Sequence, residues 1–307
     1  MTESFGEITV FIAGPTASGK SAAALALAER IGGEIVNADA LQVYADLDIL
    51  SARPSPEETA RVSHHLFGFL DGAERCSAGR WARAAARAVG EIHGRGRPAI
   101  VAGGTGLYFR ALEEGLSPIP TIPDAARNEA REAYERLGAE AFHAELVARD
   151  PGAARIAVAD RQRLLRSWEV QAATGKPLSA HQAAARAPLI EPPAARMVIE
   201  PDRETLYADC DARFDAMLAR GGLEEARRLK ARGLSPDLPV MKALGAAELI
   251  AHLGGALGLE EAAELAKRNT RRFAKRQLTW FRNQTPGWPR ARTPDEAVAA
   301  VINALQI

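Results

Sequence analysis

Residues 7–13 (EITVFIA) form a short apolar, β-branched run. A Gly-rich turn follows, and then an Ala/Leu-rich stretch over residues 20–31 with strong helix propensity. The pattern is strand, loop, helix. A second strand is predicted over 34–38 and a third over 98–102; the third runs into another glycine turn (GGTG) and a helix-like apolar segment over 107–112. Strands that alternate with helices predict a parallel sheet with helices on both faces.

After residue 116 the character changes. A Pro-marked segment, SPIPTIP, leads into a long stretch that is helical in pattern, with periodic segments over 124–137, 139–149 and 160–174. They are separated by Gly138, by Asp150-Pro151-Gly152 and by Gly175-Lys176-Pro177, all helix-stop chemistry. Residues 195–200 (ARMVIE) read as a strand returning to the sheet. Helices are then predicted over 203–220, 223–232, 242–253 and 259–283, with a last one from Pro294. The expected organisation is a P-loop-type α/β core over 1–120 and 190–307, interrupted by an all-helical insertion over 121–189 and ending in a helical region.

Composition adds limits. A hydrophobic fraction of 47% and a charged fraction of 25% are ordinary for a folded chain of 307 residues. No apolar run approaches the roughly 20 residues of a membrane span, and the acidic start Met1-Thr2-Glu3-Ser4 is unlike a signal peptide, so a cytoplasmic protein away from the membrane is expected. Cys76 and Cys210 lie far apart with no CxxC or Cys/His cluster, against both a disulfide framework and a zinc site. Formal net charge is zero, so any nucleic-acid surface must be local. One candidate is the run Lys267, Arg268, Arg271, Arg272, Lys275 and Arg276, which contains no acid.

Gly14-Pro15-Thr16-Ala17-Ser18-Gly19-Lys20-Ser21 fits GxxxxGK[ST]. Its glycines let backbone N–H groups close around phosphate oxygens, the helix start adds positive potential, Lys20 neutralises charge, and Ser21 can hold Mg²⁺. The pattern arises by chance about once in a hundred chains of this length, and here it sits between a strand and a helix as the motif demands. A phosphate-bearing ligand is therefore expected. An NTPase carries an acidic residue at the end of a neighbouring strand to organise Mg²⁺ and water, whereas the 98–102 strand ends in Gly103-Gly104-Thr105-Gly106. That turn offers backbone and hydroxyl donors, which suits gripping a diphosphate. The carboxylate best placed for chemistry is Asp39, just past the second strand at the carboxyl edge of the sheet; a helix N-cap is the competing role for it.

These motifs, in order, resemble the tRNA dimethylallyltransferase family. The resemblance rests on GPTASGKS, on DALQVY over 39–44, on Arg53-Pro54, on His64-His65-Leu66 and on GGTGLY over 103–108. Asp150-Pro151, Asp160, Arg163, Arg166, Glu169-Val170 and Thr174-Gly175 follow in the insertion, and AKRQLTWFR over 274–282 near the end. Two positions depart from the pattern: Ala40 stands where serine is common, and Gly245-Ala246 where Gly-Tyr is usual.

The resemblance implies transfer of a dimethylallyl group from dimethylallyl diphosphate to the exocyclic N6 of the adenosine next to the anticodon, by a monomer using Mg²⁺. It assigns the diphosphate to loop 14–21, Thr105 and Arg213, and the general base to Asp39. Gln42, with Ala40 and Leu41, falls beside the acceptor base. The tRNA contacts implied are Arg127, Gln162, Arg163, Leu164, Leu165 and Arg166 in the insertion, then Lys242, and Arg271, Lys275, Arg276 and Gln277 in the long helix. A solvated helix face remains the competing reading of Arg213 and of the basic run. His64-His65 reads as structural, while Trp280 and Phe281 are either base-stacking or core. Two other activities fit the loop: a nucleoside or small-metabolite kinase, and an isopentenyltransferase acting on free adenine nucleotides, which would have no need of the helical insertion.

Overall fold

The structure is a computed structural model that describes residues 7–306. The acidic start at residues 1–4 lies outside the described residues. The chain divides into two compact units, one made of the chain up to Glu113 together with Pro188 onward, the other Glu114–Ala187.

In the first unit, six strands among the described residues form one parallel sheet: β1 (Thr9–Ala13), β2 (Glu34–Asn37), β3 (His64–His65), β4 (Ala99–Gly103), β5 (Ala195–Ile199) and β6 (Arg290–Ala291), in the order β3-β2-β4-β1-β5-β6. Every residue of β1 is buried, as expected of a central strand covered on two sides. Its side chains alternate between two packed layers. Val10 and Ile12 join a cluster with Leu27 of α1 (Lys20–Ile31) and Val301 of α12 (Pro294–Leu305). Phe11 points the other way, edge-on to Phe109 of α4 (Gly106–Glu113) and beside Trp288. The other helices described in this unit are α2 (Pro56–Arg61), α3 (Ala78–Gly94), α8 (Arg203–Ala219), α9 (Gly222–Ala231), α10 (Ala246–Leu253) and α11 (Leu259–Gln284).

The second unit is helical among its described residues, with α5 (Asp124–Arg149), a 3₁₀ turn at Pro151–Arg155, α6 (Arg161–Thr174) and α7 (Leu178–Ala183). Gly138, which the sequence marks as a stop, is a kink inside α5 with φ 76° and ψ 166°. Phe142 stacks on Trp168 with ring centroids 4.5 Å apart, in a small core that also holds Ala130, Leu146 and Leu164. Asp150 is 1% exposed and organises the turn: its carboxylate accepts from the N–H of Gly152 and from the N–H and hydroxyl of Ser179.

The elements expected from the sequence lie within a few residues of their predicted bounds. The exception is 242–253, which divides into a 3₁₀ turn at Pro239–Lys242 and α10. No element is predicted over α3, although Trp81, Ala85, Val89 and Ile92 recur at helical spacing on its buried face, nor over β3 and β6, each only two residues long.

At the carboxyl edge of the sheet, backbones come unusually close. A Cβ on Gly103 would lie 2.1 Å from the carbonyl of Ala38, and one on Gly106 would lie 2.1 Å from the indole ring of Trp280. Gly103→Ala is expected to lower unfolding free energy by about 1–3 kcal/mol through overpacking. Gly90→Ala, in α3 where an added Cβ meets nothing within 4 Å, is expected to raise it by about 0.5–1 kcal/mol. Urea denaturation of the two variants checks the contrast; equal effects would contradict the close approach.

Candidate active site

Loop 14–21 joins β1 to α1. Thr16 and Ser18 are buried, and the Ser18 hydroxyl has no hydrogen-bond partner among the described residues. A buried, unpaired hydroxyl is costly, and a phosphate oxygen would relieve it. Lys20 is buried with Nζ donating to the Pro15 carbonyl at 3.1 Å. Burial pushes its ammonium down to about 8, Asp39 draws it up, and Arg213 pushes it further down. Arg213, on α8, donates from Nη2 to the Thr16 hydroxyl, and burial lowers its pKa as well. Arg213 is therefore aimed into the loop and is not a solvated arginine. Two cations held out of water beside the unpaired Ser18 hydroxyl make a site that gains by receiving an anion.

In the second glycine turn, packing accounts for the glycines. Gly103 and Gly106 are required by backbone and indole packing, as above. Gly104 offers its carbonyl to Gln277: Nε2 of Gln277 donates to Gly104 O, and Oε1 accepts from Thr16 N–H, each at 2.8 Å. Gln277, expected among the tRNA contacts, is buried and ties the two turns together. Thr105 accepts from Ala40 N–H at 2.9 Å through its hydroxyl and donates its own N–H to Ala38 O at 3.1 Å, which leaves the hydroxyl proton to give.

Asp39 lies just past β2 in an Asx turn. Its N–H donates to Asn37 Oδ1 at 2.8 Å, and its Oδ1 accepts from Leu41 N–H at 2.9 Å. No helix begins there, so the carboxylate is no N-cap, and its Oδ2 remains for other work. It lines a cavity with Thr16, Leu41, Arg213, Phe214 and Phe273. One end of this cavity is cationic, and one wall is apolar. Phe214 and Phe273, together with Leu50 and Met217 in the same lining, carry no motif that sequence reading could isolate. Gln42 donates from Nε2 to the carbonyls of Ser51 at 3.0 Å and Ala52 at 2.7 Å, so its amide nitrogen is fixed by the protein.

In α11, Arg271 is paired with Asp211 and Lys267 with Asp215. Lys275 and Arg276 are exposed, and Arg268, Arg272 and Lys275 form an exposed stripe at i, i+4 and i+7. The structure thus favours Arg272 over Arg271 on the open face. Lys242 is exposed, 3.6 Å from Asp237. In the helical unit, Arg127 pairs with Asp124, Arg163 with Asp160 and Arg166 with Glu169, while Gln162 is exposed. Leu164 is buried in that unit's core and Leu165, half-buried, packs against it. His65 binds the Glu34 carboxylate and His64 the Val62 carbonyl, both structural roles. Trp280 packs over Gly106, and Phe281 is buried.

A six-stranded parallel sheet with a phosphate loop after β1, facing a carboxylate and an apolar wall, defines a transferase of the P-loop class. The family model described as IPP transferase matches residues 42–284, and that described as isopentenyl transferase matches residues 8–67. The chain belongs to the IPP transferase family and is a prenyltransferase. It is 56% identical over 285 residues to a tRNA dimethylallyltransferase of Phenylobacterium zucineum, covering 92% of each chain. The full-length tRNA isopentenylpyrophosphate transferase of Bacillus halodurans superposes with a TM-score of 0.70 at 33% identity, over 98% of this chain and 96% of that one. A eukaryotic dimethylallyltransferase acting on tRNA superposes at 0.77 and 26% identity, over 96% and 77%.

Because burial lowers the Lys20 ammonium to about 8 in the free protein, kcat/KM for a diphosphate donor is expected to fall as pH rises through that value if Lys20 meets the anion. The slope should approach about tenfold per unit, as kcat/KM reports free-enzyme ionisations. A profile flat from about pH 7 to 9.5 would contradict a functional role for the depressed ammonium.

Proposed function

We propose that the protein transfers a dimethylallyl group from dimethylallyl diphosphate to N6 of the adenosine adjacent to the anticodon of tRNA, releasing diphosphate. The observation that carries this reading is the cavity itself, lined by Thr16 of the loop, Arg213, Asp39 and an apolar wall of Phe214 and Phe273, with the buried Lys20 close enough to feel the charges of both Asp39 and Arg213. Such a wall suits a hydrocarbon bonded to the diphosphate; a nucleotide's triphosphate would find little use for it.

As the allylic C–O bond breaks, negative charge grows on the leaving diphosphate, and cations already fixed in a desolvated site stabilise it without reorganising. Lys20, Arg213, the amides of loop 14–21 and the hydroxyl proton of Thr105 are the groups assigned to it. The attacking amine must lose a proton, and Asp39, with one oxygen anchored by Leu41 N–H, is the base that takes it. Gln42, its nitrogen fixed by two carbonyls, is assigned to accept from the adenine through Oε1. Among the described residues no three His, Cys, Asp or Glu gather to hold a metal. The hydroxyl of the exposed Ser21 would hold Mg²⁺ together with the diphosphate, and the ion would supply further neutralisation of the leaving group.

The target base must leave the anticodon-loop stack to reach such a cavity. The helical unit Glu114–Ala187 is assigned to the anticodon stem-loop through Arg127, Gln162, Arg163 and Arg166. The stripe Arg268, Arg272 and Lys275 is assigned to phosphates, with Lys242 and Arg276 at its margins. One chain contains all of these parts, so the active unit is taken as a monomer working in the cytoplasm with its tRNA; no helix among the described residues is long and apolar enough to cross a membrane.

Incubating the protein with labelled dimethylallyl diphosphate, Mg²⁺ and unmodified tRNA is expected to move label to the tRNA without ATP. Phosphoryl transfer from ATP to a small acceptor would instead establish the kinase reading. Asp39→Asn is expected to lower kcat by at least about a hundredfold, the usual contribution of a general base, with tRNA affinity unchanged. Near wild-type turnover would remove Asp39 as the base. Arg272→Glu combined with Lys275→Glu is expected to weaken tRNA binding and flatten its dependence on salt by about two phosphate contacts; an unaltered salt slope would contradict that face.

A further inference from the structure

Glu225 is a charged residue that the mechanism leaves unused. It sits near the start of α9, is 2% exposed, and belongs to no motif singled out by sequence. Its carboxylate reaches across the chain to a segment some 175 residues earlier: Oε1 accepts from the N–H of Asp48 at 2.8 Å and of Ile49 at 2.9 Å, and Oε2 accepts from Leu50 N–H at 2.7 Å. Three successive amides converge on one buried side chain. A carboxylate in this setting fixes the backbone far more firmly than a neutral partner would, since charge-assisted hydrogen bonds are short and about twice as strong.

The segment so held leads directly to the site. Leu50 and Ser51 line the cavity beside Asp39. The carbonyls of Ser51 and Ala52, the next residues along, are the ones that accept from Gln42 Nε2. Ala52 adopts φ 53°, a left-handed conformation that costs a non-glycine residue about 1 kcal/mol and persists only when its surroundings impose it. The packing at the start of α9 is equally close: a Cβ on Gly222 would lie 3.1 Å from Leu50 Cδ2.

We propose that Glu225 is a positioning residue for the acceptor: by clamping amides 48–50 it sets the Ser51 and Ala52 carbonyls that orient Gln42, and so sets where the acceptor base lies relative to Asp39. This rests on the assignment of Gln42 to the adenine. The clamp touches neither loop 14–21 nor Arg213, and of the three residues it holds only Leu50 lines the cavity, so its loss should be felt mainly on the acceptor side of the reaction. Glu225→Gln is the sharpest probe, because it keeps shape and volume while turning an NH₂ group toward at least one of the backbone N–H donors.

The test is a double-mutant cycle on Glu225→Gln and Gln42→Leu, with kcat/KM measured separately for an anticodon stem-loop acceptor and for dimethylallyl diphosphate. Each single change is expected to lower the acceptor kcat/KM by about ten- to a hundredfold, the range set by losing a hydrogen bond to a buried charge or its dependent contact. Donor KM should stay within about twofold, and the double variant should be no worse than the poorer single, because the two lie on one chain of contacts. If Gln42→Leu impairs the acceptor while Glu225→Gln is silent, additive with it, or raises donor KM equally, Glu225 is merely structural and the inference is overturned with the Gln42 assignment intact. If Gln42→Leu is itself silent, that assignment fails and takes the inference with it. Should Glu225→Gln not fold, Glu225→Asp, which keeps the charge and shortens the reach, takes its place in the same cycle.

Discussion

Parallel strands end together, and in this protein the ends of β1, β2 and β4 are pressed so close that side chains are excluded between them. Gly103 meets the backbone of Ala38 where no Cβ fits, and Thr105 donates its N–H to the Ala38 carbonyl. One buried amide, Gln277, then joins the phosphate loop to the second glycine turn by accepting from Thr16 and donating to Gly104. These contacts fix the distance between an anion-binding loop and the turn that carries Asp39. Catalysis by positioned groups needs such rigidity, because misplacement by a fraction of an ångström forfeits much of the effect.

Electrostatics follows from that geometry. Lys20 and Arg213 are both held where burial disfavours their charged forms, and the Ser18 hydroxyl in the same loop is unpaired among the described residues. The unliganded site is therefore costly, and an entering diphosphate meets groups already stripped of water. A hydrolytic P-loop enzyme places a carboxylate at the end of a strand next to the loop to prepare water. Here β4 ends in glycine, and the carboxylate comes from the turn after β2, across a cavity with an aromatic wall. In the proposed reaction the same loop serves a departure of diphosphate from carbon.

Much of this is legible in the sequence, for identifiable reasons. β1, β2, β4 and β5 are short apolar runs bounded by turn residues, and loop 14–21 is a contiguous motif, so local signals suffice. The helix α3 is within reach of the pattern, since Trp81, Ala85, Val89 and Ile92 recur at i, i+4, i+8 and i+11 on its buried face, although no element is predicted there. The edge strands β3 and β6 are too short to alternate. Gln277 is legible as a functional position but not as a buried one, since its partners Thr16 and Gly104 lie more than 170 residues away in the chain. Arg271 and Arg272 cannot be ranked by sequence; only the presence of Asp211 on the facing helix decides which arginine is spent on an ion pair. The aromatic wall and Glu225 belong to the same class, as residues whose meaning is set by distant neighbours.

The central claim is that loop 14–21 holds a diphosphate already bonded to a hydrocarbon, with Asp39 facing the base that displaces it. A crystal structure with a non-reactive thiolo analogue of dimethylallyl diphosphate and an anticodon stem-loop tests this most directly. The account predicts diphosphate oxygens on the amides of loop 14–21 and on Lys20 and Arg213, the isoprenoid against Phe214 or Phe273, and adenine N6 within hydrogen-bond reach of Asp39. A nucleotide triphosphate preferred in the loop when offered in competition, or an adenine bound with Asp39 turned away from it, would contradict the account.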